Sequence, residues 1–366
     1  MNGKGIFIGA TGQNVGKTTI CLGLLSGLKK NFPQLGFMKP VGQQHVKVEK
    51  GLLVDKDVVL FKEHFNLLYP YEEMSPVIFP AGFTRRILDE KVSSKEFENK
   101  ILISYKKIAS ESDFTVVEGT GHLGVGSIAN LNNARIAKLL GLEVVIIVKG
   151  GIGSAFDELA LNKALLDGMN VPLKGVILNR VIEEKEEMIT HYINKALKRW
   201  GIPLIGIIPF NNFLNTPSME DFETLFRTTL ISGEDYHYCH FESMRLVATS
   251  LETFKEVIVP GQLLVTPATR EDIILTVIEK HLRHLPTKKD ELPSHGLILT
   301  GRHPPSHFVI KELKKAGIPA LYAEITTYDA MCMITSFTAK IRKEDTSKVK
   351  KAIDLVEPHL DFSKII

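Results

Sequence analysis

One stretch near the start of the chain, "FIGATGQNVGKTTICLGL" at residues 7–24, restricts the fold more than any other. An apolar run enters a turn built from Gly9, Gly12 and Gly16, and the chain leaves through Lys17 into a pattern typical of a helix. Successive backbone N–H groups in such a turn, together with the N-terminus of the following helix, attract phosphate oxygens. We therefore predict a phosphate-binding loop between a buried strand and a helix.

The residues of this loop also predict what the phosphates belong to. Thr11 stands where the usual motif has its first glycine, but the strand before the loop and the helix after it fit that motif. In the motif, Lys17 contacts the β- and γ-phosphates and the Thr18 hydroxyl ligates Mg²⁺. We expect Mg-ATP at this loop. The residues expected to hold the nucleotide are Gly12, Gln13, Asn14, Val15, Gly16, Lys17, Thr18 and Thr19.

The order of the predicted elements indicates two domains. Short apolar runs alternate with amphipathic helical patterns, which is typical of a parallel sheet with helices on both faces. The alternation breaks and then resumes, with a boundary near Gly233. The predicted fold class is α/β, a P-loop NTPase-type parallel sheet followed by a smaller α/β domain. The predicted segments are a first domain at 1–215, a connector at 216–240, a second domain at 241–345 and a C-terminal helix at 346–366.

The overall composition argues against several classes of function. Hydrophobic residues make up 44% and charged residues 24% of the 366, as in globular proteins. The net charge of +3 is too small to indicate a nucleic-acid partner. Cys21, Cys239 and Cys332 are far apart, which favours a reducing compartment, and no apolar run reaches the length of a membrane span. We expect a cytoplasmic protein with no membrane or nucleic-acid partner.

Three motifs together carry a family resemblance. The segments "TGQNVGKT", "FMKPVG" and "VEG" resemble the dethiobiotin synthetases, P-loop enzymes that join CO₂ to a diamine with ATP. The resemblance implies that Thr18, Asp57 and Glu118 hold Mg²⁺ and that Lys39 faces the acceptor and the γ-phosphate. It also implies that Asn179, in "ILNRV", reads the adenine base. The catalytic residues on this pattern are Lys17, Lys39 and Glu118.

The residue types support some of these roles independently and leave alternatives open. Glu118 ends a buried strand, and such sheets bind ligands at the carboxyl ends of their strands. Asp57 is equally an acid that begins a helix, with Asp55 as a rival ligand for the metal ion. Lys39 is alternatively a solvated strand end, and Asn179 is alternatively the cap of a turn. GTP remains an alternative to ATP because Asn179 alone indicates adenine.

Two segments depart from the dethiobiotin synthetase pattern. After "KPV" that family has small residues and a hydroxyl, whereas this chain has "GQQH" at 42–45. The segment "GTGHLGVGS" follows Glu118, and its glycines indicate backbone packed close to a ligand or folded in tight turns. His122 within it is a base, a phosphate contact or a packed loop residue. The departures leave no diamine pocket that we can recognise from the sequence.

The second half of the chain narrows the resemblance. The segments "GQLLVTPATREDIIL", "GLILTGRHPP" and "IPALYAEITTYDA" resemble a DRTGG domain, which follows a dethiobiotin synthetase-like domain at the front of long bacterial phosphotransacetylases. The resemblance covers residues 4–345, with departures at Thr269, where Asp is frequent, and at "LTGRHPP", where "LTGG" is usual. That front module is regarded as regulatory. We expect a regulator of this kind that lacks the acetyltransferase domain.

Two classes of function therefore compete. One is a metabolic sensor or regulator in which Mg-ATP is coupled to the second domain. The other is an ATPase or an ATP-dependent ligase of the dethiobiotin synthetase type that acts through a phosphorylated intermediate. Arg270 and Arg302 follow predicted strands of the second domain, and their guanidinium groups suit an anionic metabolite. Alternatively, Arg270 forms an ion pair with the acidic residues that follow it. We also expect a homo-oligomer.

Overall fold

The chain folds into two compact units. The first runs up to Asn211 and also contains Ile341–Ile366, and the second is Asn212–Lys340. Each unit has a sheet of its own. The residues that this computed structural model describes are 4–80, 82–89, 93–283 and 293–366.

The first unit is built around a parallel sheet. The described strands of this unit are β1 (Lys4–Ala10), β2 (Leu35–Met38), β3 (Val41–Gly42), β4 (His45–Lys47), β5 (Leu53–Asp55), β6 (Val77–Ile78), β7 (Phe114–Glu118), β8 (Val144–Lys149), β9 (Leu173–Val181) and β10 (Leu204–Pro209). Of these, β3 pairs with β6 and β4 with β5, and the other six form the parallel sheet. Its helices up to this point are α1 (Lys17–Leu28), α2 (Lys56–Phe65), α3 (Tyr71–Met74), α4 (Phe83–Leu88), α5 (Ser94–Glu111), α6 (Asn133–Leu140), α7 (Gly153–Met169) and α8 (Glu186–Lys198).

The strand order of this sheet brings the predicted site together. The order is β10-β9-β8-β1-β7-β2, and each of these neighbouring pairs is parallel. β7 is buried along its whole length, which explains why its sequence is a continuous apolar run and not an alternating one. Ile8 in β1 lies opposite Glu118 in β7. The loop after β1 and the acid that ends β7 therefore meet at the carboxyl edge, and the predicted parallel α/β fold is confirmed.

The second unit has a smaller mixed sheet. Its described strands are β11 (Leu230–Ser232), β12 (Ser243–Leu246), β13 (Gln262–Pro267), β14 (His295–Thr300) and β15 (Ala320–Ala323). Its helices are α9 (Met219–Phe226), α10 (Leu251–Val257), α11 (Glu271–Arg283), α12 (His307–Ala316) and α13 (Thr327–Ser336). The order is β11-β15-β14-β13-β12, parallel except for β11. Residues of α10, α11 and α12 form one hydrophobic cluster with the sheet, and residues of α9 and α13 form another.

The start of the second unit differs from the predicted connector at 216–240. That stretch contains α9 and β11, which belong to the second unit. Ser218 begins α9 through a capping box, because its Oγ accepts the Asp221 N–H at 3.2 Å and the Asp221 carboxylate accepts the Ser218 N–H at 3.0 Å. Phe222 is fully buried in the core. A strand of three residues at a sheet edge is too short to leave a periodic pattern in the sequence.

The last segment of the chain returns to the first unit, where α14 (Thr346–Val356) packs against α1. Gly23 in α1 permits this approach, because a Cβ at that position would lie 2.5 Å from the Cβ of Val356. Glu357 accepts a hydrogen bond from the Ser26 hydroxyl at 2.6 Å and also binds Lys30. The helix expected at 346–366 thus ends at Val356 and covers the helix that follows the phosphate loop.

The helices in the described ranges also bear on membrane association. None of them combines the length and the apolar character that crossing a bilayer requires. The longest is α5, at 18 residues, and it carries charged residues on its exposed face.

Candidate functional site

The phosphate loop lies at the carboxyl edge of the first sheet, between β1 and α1. Gly16 has a φ of 104° immediately before α1, and Asn14 has a φ of 58°. A residue with a Cβ would be strained at Gly16 in this left-handed conformation. The left-handed residues Asn14 and Gly16 turn the chain from the buried strand β1 into a helix that begins at Lys17. This is the context that the sequence predicts for a phosphate loop.

The Lys17 side chain points into the site, and the residue is only 9% exposed. Its Nζ donates a hydrogen bond to the main-chain oxygen of Gly121, 2.6 Å away, in the glycine-rich segment after β7. Burial lowers the pKa of Lys17 to about 8, although the nearby Glu118 carboxylate favours the charged form. A phosphate oxygen in place of the Gly121 carbonyl would stabilise the ammonium form.

Glu118 is the most buried charged residue of the site, with 1% exposure. Its Oε1 lies 3.4 Å from the Thr18 hydroxyl, whereas its Oε2 has no hydrogen-bond partner among the described residues. Burial raises the pKa of Glu118 to about 7, against the opposing effect of the Lys39 ammonium. A buried carboxylate oxygen that lacks a donor is costly, so this oxygen favours the arrival of a cation or a donor.

Lys39 follows β2 and is buried, so it is not a solvated strand end. It binds the Asp57 carboxylate, and its Nζ lies 3.2 Å from Asp55 Oδ1 and 3.5 Å from Glu118 Oε1. Burial alone would lower the pKa of Lys39, but Asp57, Glu118 and Asp55 together raise it well above its usual value. Asp55 also caps α2 by accepting the Asp57 N–H, which brings both carboxylates to the ammonium group.

The donor set fits a magnesium ion that arrives together with phosphate. In the parts of the chain that the structure describes, no three His, Cys, Asp or Glu side chains converge as a metal site. The Asp57 carboxylate is bound by Lys39. The Thr18 hydroxyl and Glu118 Oε1 lie next to each other, and Glu118 Oε2 has no hydrogen-bond partner in the described chain. Mg²⁺ is usually held by one or two carboxylates and completes its shell with phosphate oxygens and water. Thr18 and Glu118 therefore fit as its protein ligands, whereas the Asp57 carboxylate is already paired with Lys39.

The glycine-rich segment after β7 is held by hydrogen bonds to two other elements, β3 and α6. The Thr120 hydroxyl donates to the main-chain oxygen of Val41 in β3. Asn133 in α6 donates from Nδ2 to the main-chain oxygens of Thr120 and His122, at 2.8 and 2.7 Å. His122 is exposed, and its Nδ1 accepts the Gly124 N–H at 3.1 Å, which fits the packed-loop alternative. Sequence reasoning missed Asn133, whose only signal is its place at the start of an amphipathic helix.

Asn179 reaches the phosphate loop from β9. It is 4% exposed, and its Nδ2 donates to the main-chain oxygen of Val15 at 2.7 Å. Its Oδ1 accepts the Arg180 N–H at 3.0 Å. The sequence thus identifies a residue that belongs to the site, but the contacts described are with main chain of the protein itself.

The second sheet carries the two predicted arginines at its own carboxyl edge. β13 and β14 are parallel neighbours, so the loops that contain Arg270 and Arg302 leave the same edge. Arg270 donates from Nε and NH2 to the two carboxylate oxygens of Asp272, at 2.9 and 2.8 Å. Its alternative assignment as an ion pair is therefore the one that the structure shows. Arg302 is exposed.

Two family models match the sequence. A model described as an AAA domain (AAA_26) matches residues 4–218, which is more than half of the chain. A model described as a DRTGG domain matches residues 224–337. The two matches follow one another in the order that the motifs predict.

Curated relatives agree with these matches. A phosphate acetyltransferase of Pseudomonas aeruginosa is 26% identical over 373 residues, which is 97% of this chain and 51% of that protein. The ATP-dependent dethiobiotin synthetase BioD of Bacillus subtilis is 23% identical over 210 residues, which is 56% of this chain and 87% of that protein. The chain thus spans about half the length of the phosphate acetyltransferase it matches, and the resemblance that its motifs indicate is confirmed.

Among solved structures, the MinD cell division protein of Aquifex aeolicus matches with 18% identity and a TM-score of 0.36, covering 58% of this chain and 84% of that one. The fold assignment rests on the strand order and the family models instead. On these models and relatives, the chain belongs to the AAA_26 family of AAA domains and carries a DRTGG domain after that domain.

Proposed function

We propose that the first unit binds Mg-ATP at the carboxyl edge of its sheet. The observation that carries this proposal is the phosphate loop next to Glu118, a buried carboxylate whose Oε2 has no partner in the described chain. A divalent cation between Glu118, the Thr18 hydroxyl and phosphate oxygens would satisfy that oxygen. The name of the related dethiobiotin synthetase, an ATP-dependent enzyme, supports ATP as the nucleotide.

The residues around the loop have separate roles in this proposal. The backbone N–H groups of residues 12–19 hold the phosphates, and Lys17 leaves the Gly121 carbonyl to bind phosphate oxygens. The metal ion neutralises phosphate charge when bound. Asp57 and Asp55 keep the Lys39 ammonium charged and fixed beside Glu118. Lys39 is thereby placed to contact the terminal phosphate.

We propose that nucleotide binding serves regulation of metabolism. The chain matches the half of the phosphate acetyltransferases that the sequence resemblance describes as regulatory. The segments "GQQH" and "GTGHLGVGS" also depart from the pattern of the dethiobiotin synthetases, and the glycine-rich one is bound by the Asn133 side chain and by the main-chain oxygen of Val41. A nucleotide that displaces the Lys17–Gly121 contact would change this segment, which gives the regulation a structural starting point.

The effector proposed for the second unit is an anionic metabolite. The exposed guanidinium of Arg302 lies on the same sheet edge as Arg270, whose fork an incoming anion would share with Asp272. A thermal-shift screen of organic acids and acyl phosphates, with and without Mg-ATP, tests this. Coupling requires that the anion change the affinity for ATP by the same factor as ATP changes the affinity for the anion. If no anion shifts the melting temperature under either condition, the second unit has no such effector.

Calorimetric titration of Mg-ATP into the wild-type protein and Lys17→Ala tests nucleotide binding. The substitution should weaken binding about tenfold to a hundredfold, because a charge-assisted contact contributes about 1.5–3 kcal/mol. Lys163→Ala is the matched control, since Lys163 pairs with Asp167 on α7 and belongs to no part of the proposed site. Equal affinities in the wild type and Lys17→Ala, or no binding by the wild type, would contradict the proposal.

A ligase of the dethiobiotin synthetase type is the second candidate, and the burial of Lys39 favours it. A buried lysine that contacts three carboxylates is more than a nucleotide sensor requires. Incubation with ATP, CO₂ and 7,8-diaminononanoate, followed by detection of ADP and product, is the direct assay. Product formed by the wild type and lost in Lys39→Ala would place the chain among the ligases. Absence of product with intact ATP binding favours the regulator.

A further inference from the structure

Arg180 lies at the carboxyl edge of the first sheet in a strained backbone conformation. Its φ is 61°, in the left-handed region that residues other than glycine and asparagine rarely adopt. Of the other non-glycine residues with a positive φ in the described ranges, four are asparagines, and Arg227 caps the end of α9. Arg180 lies within β9, so neither a tolerant side chain nor a helix end accounts for its conformation.

The strained residue is also a β-bulge. Asn179 lies opposite Ile208 of β10, and Val181 lies opposite Pro209, so no residue of β10 pairs with Arg180. A bulge interrupts the alternation of a strand and redirects the side chain at that place, and bulges are frequent beside active sites. Backbone strain of this kind persists where surrounding contacts enforce it, and it is concentrated at functional sites.

The contacts that enforce the bulge place it beside the phosphate loop. Asn179 Oδ1 accepts the Arg180 N–H at 3.0 Å, and Asn179 Nδ2 donates to the main-chain oxygen of Val15 at 2.7 Å. On the other side, a Cβ on Gly150 would lie 2.9 Å from Val181 Cα and 3.0 Å from the Arg180 main-chain oxygen. One residue thus separates Arg180 from a direct contact with the loop, which puts the loop within reach of a long side chain.

The guanidinium group of Arg180 has no counter-charge among the residues that the structure describes. The residue is half-buried, and its side chain makes no hydrogen bond or ion pair with any of them. Burial lowers the pKa of Arg180, and no carboxylate in the described ranges opposes this effect. Arg135 and Arg270, by contrast, each bind a carboxylate. A partly desolvated cation without a partner is unfavourable, and an anion bound next to it would compensate its charge.

We propose that Arg180 binds the phosphate chain of the nucleotide from the β9 side of the phosphate loop. This inference rests on the proposed nucleotide site. It gives that site a second cation besides Lys17, supplied by a bulge and not by the loop itself. A guanidinium group can donate to two phosphate oxygens at once, which the ammonium group of a lysine does not do with the same fixed geometry.

Calorimetry with three ligands tests this: Mg-ATP, Mg-GTP and Mg-tripolyphosphate, which share phosphates while the last has no base. Arg180→Ala should weaken binding of all three about tenfold, the effect of losing a charge-assisted hydrogen bond. Arg180→Lys keeps the charge without the fork, so its affinities should lie between those of the wild type and Arg180→Ala. Arg199→Ala is the matched control, since it removes an exposed arginine after α8, near the start of β10, and should change none of the affinities.

A further variant separates ligand binding from a structural role. Arg180→Gly removes the side chain and relieves the strain, because glycine adopts a positive φ without cost from a Cβ. Its melting temperature should equal or exceed that of the wild type, while its affinities should fall as in Arg180→Ala. A lower melting temperature with unchanged affinities would show that Arg180 only supports the fold, and would overturn the inference.

The remaining outcomes are distinguishable. Weaker binding of ATP and GTP with tripolyphosphate unaffected would assign Arg180 to the base or the ribose, which overturns the inference and leaves the nucleotide site intact. If the wild type binds nucleotides but not tripolyphosphate, added salt decides, because screening should weaken ATP binding less steeply in Arg180→Ala. Equal slopes, or unchanged affinities for every ligand, would also overturn the inference. A wild-type protein that binds none of the three would refute the nucleotide site together with it.

Discussion

Both units present the carboxyl edge of a mainly parallel sheet, but the two edges differ in how deeply their charges lie. In the first unit, Lys17, Lys39 and Glu118 are 9%, 6% and 1% exposed. In the second, the side chains of Arg270 and Asp272 are 32% and 41% exposed. The same topology therefore carries a buried cluster of opposite charges in one unit and a solvated ion pair in the other.

The difference shows that strand order brings charged residues together, whereas their burial determines whether they need a further ligand to compensate their charge. An exposed ion pair contributes about 0–1 kcal/mol and has little need of a further ligand. Buried charges are expensive unless every one is compensated, and Glu118 keeps an oxygen without a partner in the described chain. The first edge thus has a physical reason to take up a cation and a polyphosphate. At the second edge the Arg270–Asp272 pair is already neutralised, and the exposed Arg302 is what remains to attract an anion.

The largest expected difference between the two edges is in the affinity for Mg²⁺. Glu118→Gln preserves the shape of the side chain and removes its charge, so Mg²⁺ in the presence of ATP should bind about tenfold to a hundredfold more weakly, as when groups that support metal sites are lost. Asp272→Asn in the second unit is the matched substitution and should leave the Mg²⁺ titration unchanged. Calorimetry of Mg²⁺ binding at saturating ATP measures both, and equal effects of the two variants would remove the distinction between the edges.

The units also differ in what covers them, since the end of the chain packs on α1 of the first unit. Gly23→Ala places a Cβ 2.5 Å from Val356 Cβ and 2.9 Å from the Glu357 main-chain nitrogen. The free energy of unfolding should fall by about 1–3 kcal/mol from overpacking. Trp200, the one tryptophan of the sequence, lies in the first unit and reports its unfolding by fluorescence.

A second helical glycine provides the control for that substitution. No described atom outside its neighbouring residues and its own helix backbone lies within 4 Å of the Cβ position on Gly168 in α7. Gly168→Ala should therefore raise the free energy of unfolding, by up to about 1 kcal/mol, through helix propensity alone. If Gly23→Ala stabilises the chain as Gly168→Ala does, then α14 does not pack on α1 in solution.

Glu118 in the first unit and His281 in the second should contribute to the pH dependence of stability with opposite signs. The folded-state pKa of Glu118, about 7, lies above the usual 4.5 because of burial. The folded chain therefore binds this proton more tightly than the unfolded chain, and the contribution to stability present at low pH is lost as the pH rises through about 7. Denaturation of the wild type and Glu118→Gln at pH 5 and pH 8, followed by Trp200 fluorescence, should favour the variant more at pH 8. A difference independent of pH would contradict this.

His281 gives the opposite sign in the second unit. It is buried in α11, its Nδ1 lies 3.0 Å from the Ser294 hydroxyl, and burial lowers its pKa below the usual 6.5. The unfolded chain then binds the proton more tightly, so stability is lost as the pH falls below about 6.5. Amide exchange in β13 and β14 should accelerate between pH 7.5 and pH 5.5, after correction for intrinsic rates, and less so in His281→Gln. The same acceleration in both proteins would assign the effect to other groups.

The smallest expected effect is at the second edge itself. Arg270→Ala removes the fork that binds Asp272, and because both groups face solvent the free energy of unfolding should change by less than about 1 kcal/mol. Chemical denaturation followed by circular dichroism checks this. A loss of several kcal/mol would show that the ion pair holds the second unit together and that the contrast in burial is not what separates the edges.

The sequence predicts those parts of the molecule that are written in local patterns. Strands such as Val144–Lys149 are buried on both faces and leave continuous apolar runs, so their positions follow from the sequence. The gathering of Lys39 with Asp57 and Glu118 follows from family resemblance, since no spacing rule places them together. The packing of Val356 on Gly23 joins residues far apart in the sequence and leaves no local signal.

The same reason explains what the sequence misses at the site. The donor from Asn179 to Val15 depends on the position of β9 beside β8, and the short edge strand β11 depends on its partner β15. Both are properties of tertiary structure. Local propensity identifies the elements, and their neighbours determine which side chains meet.

Hydrogen exchange of the wild-type protein with and without Mg-ATP compares the two edges in one experiment. Exchange should slow at residues 12–19 and 118–121 of the first unit, where the loop N–H groups and the Glu118 segment would contact the nucleotide. Any change at residues 268–272 of the second unit should be smaller than at the first edge when no anionic metabolite is added. Protection confined to 268–272, or no protection at either edge at saturating Mg-ATP, would contradict the claim that the buried charges of the first edge form the nucleotide site.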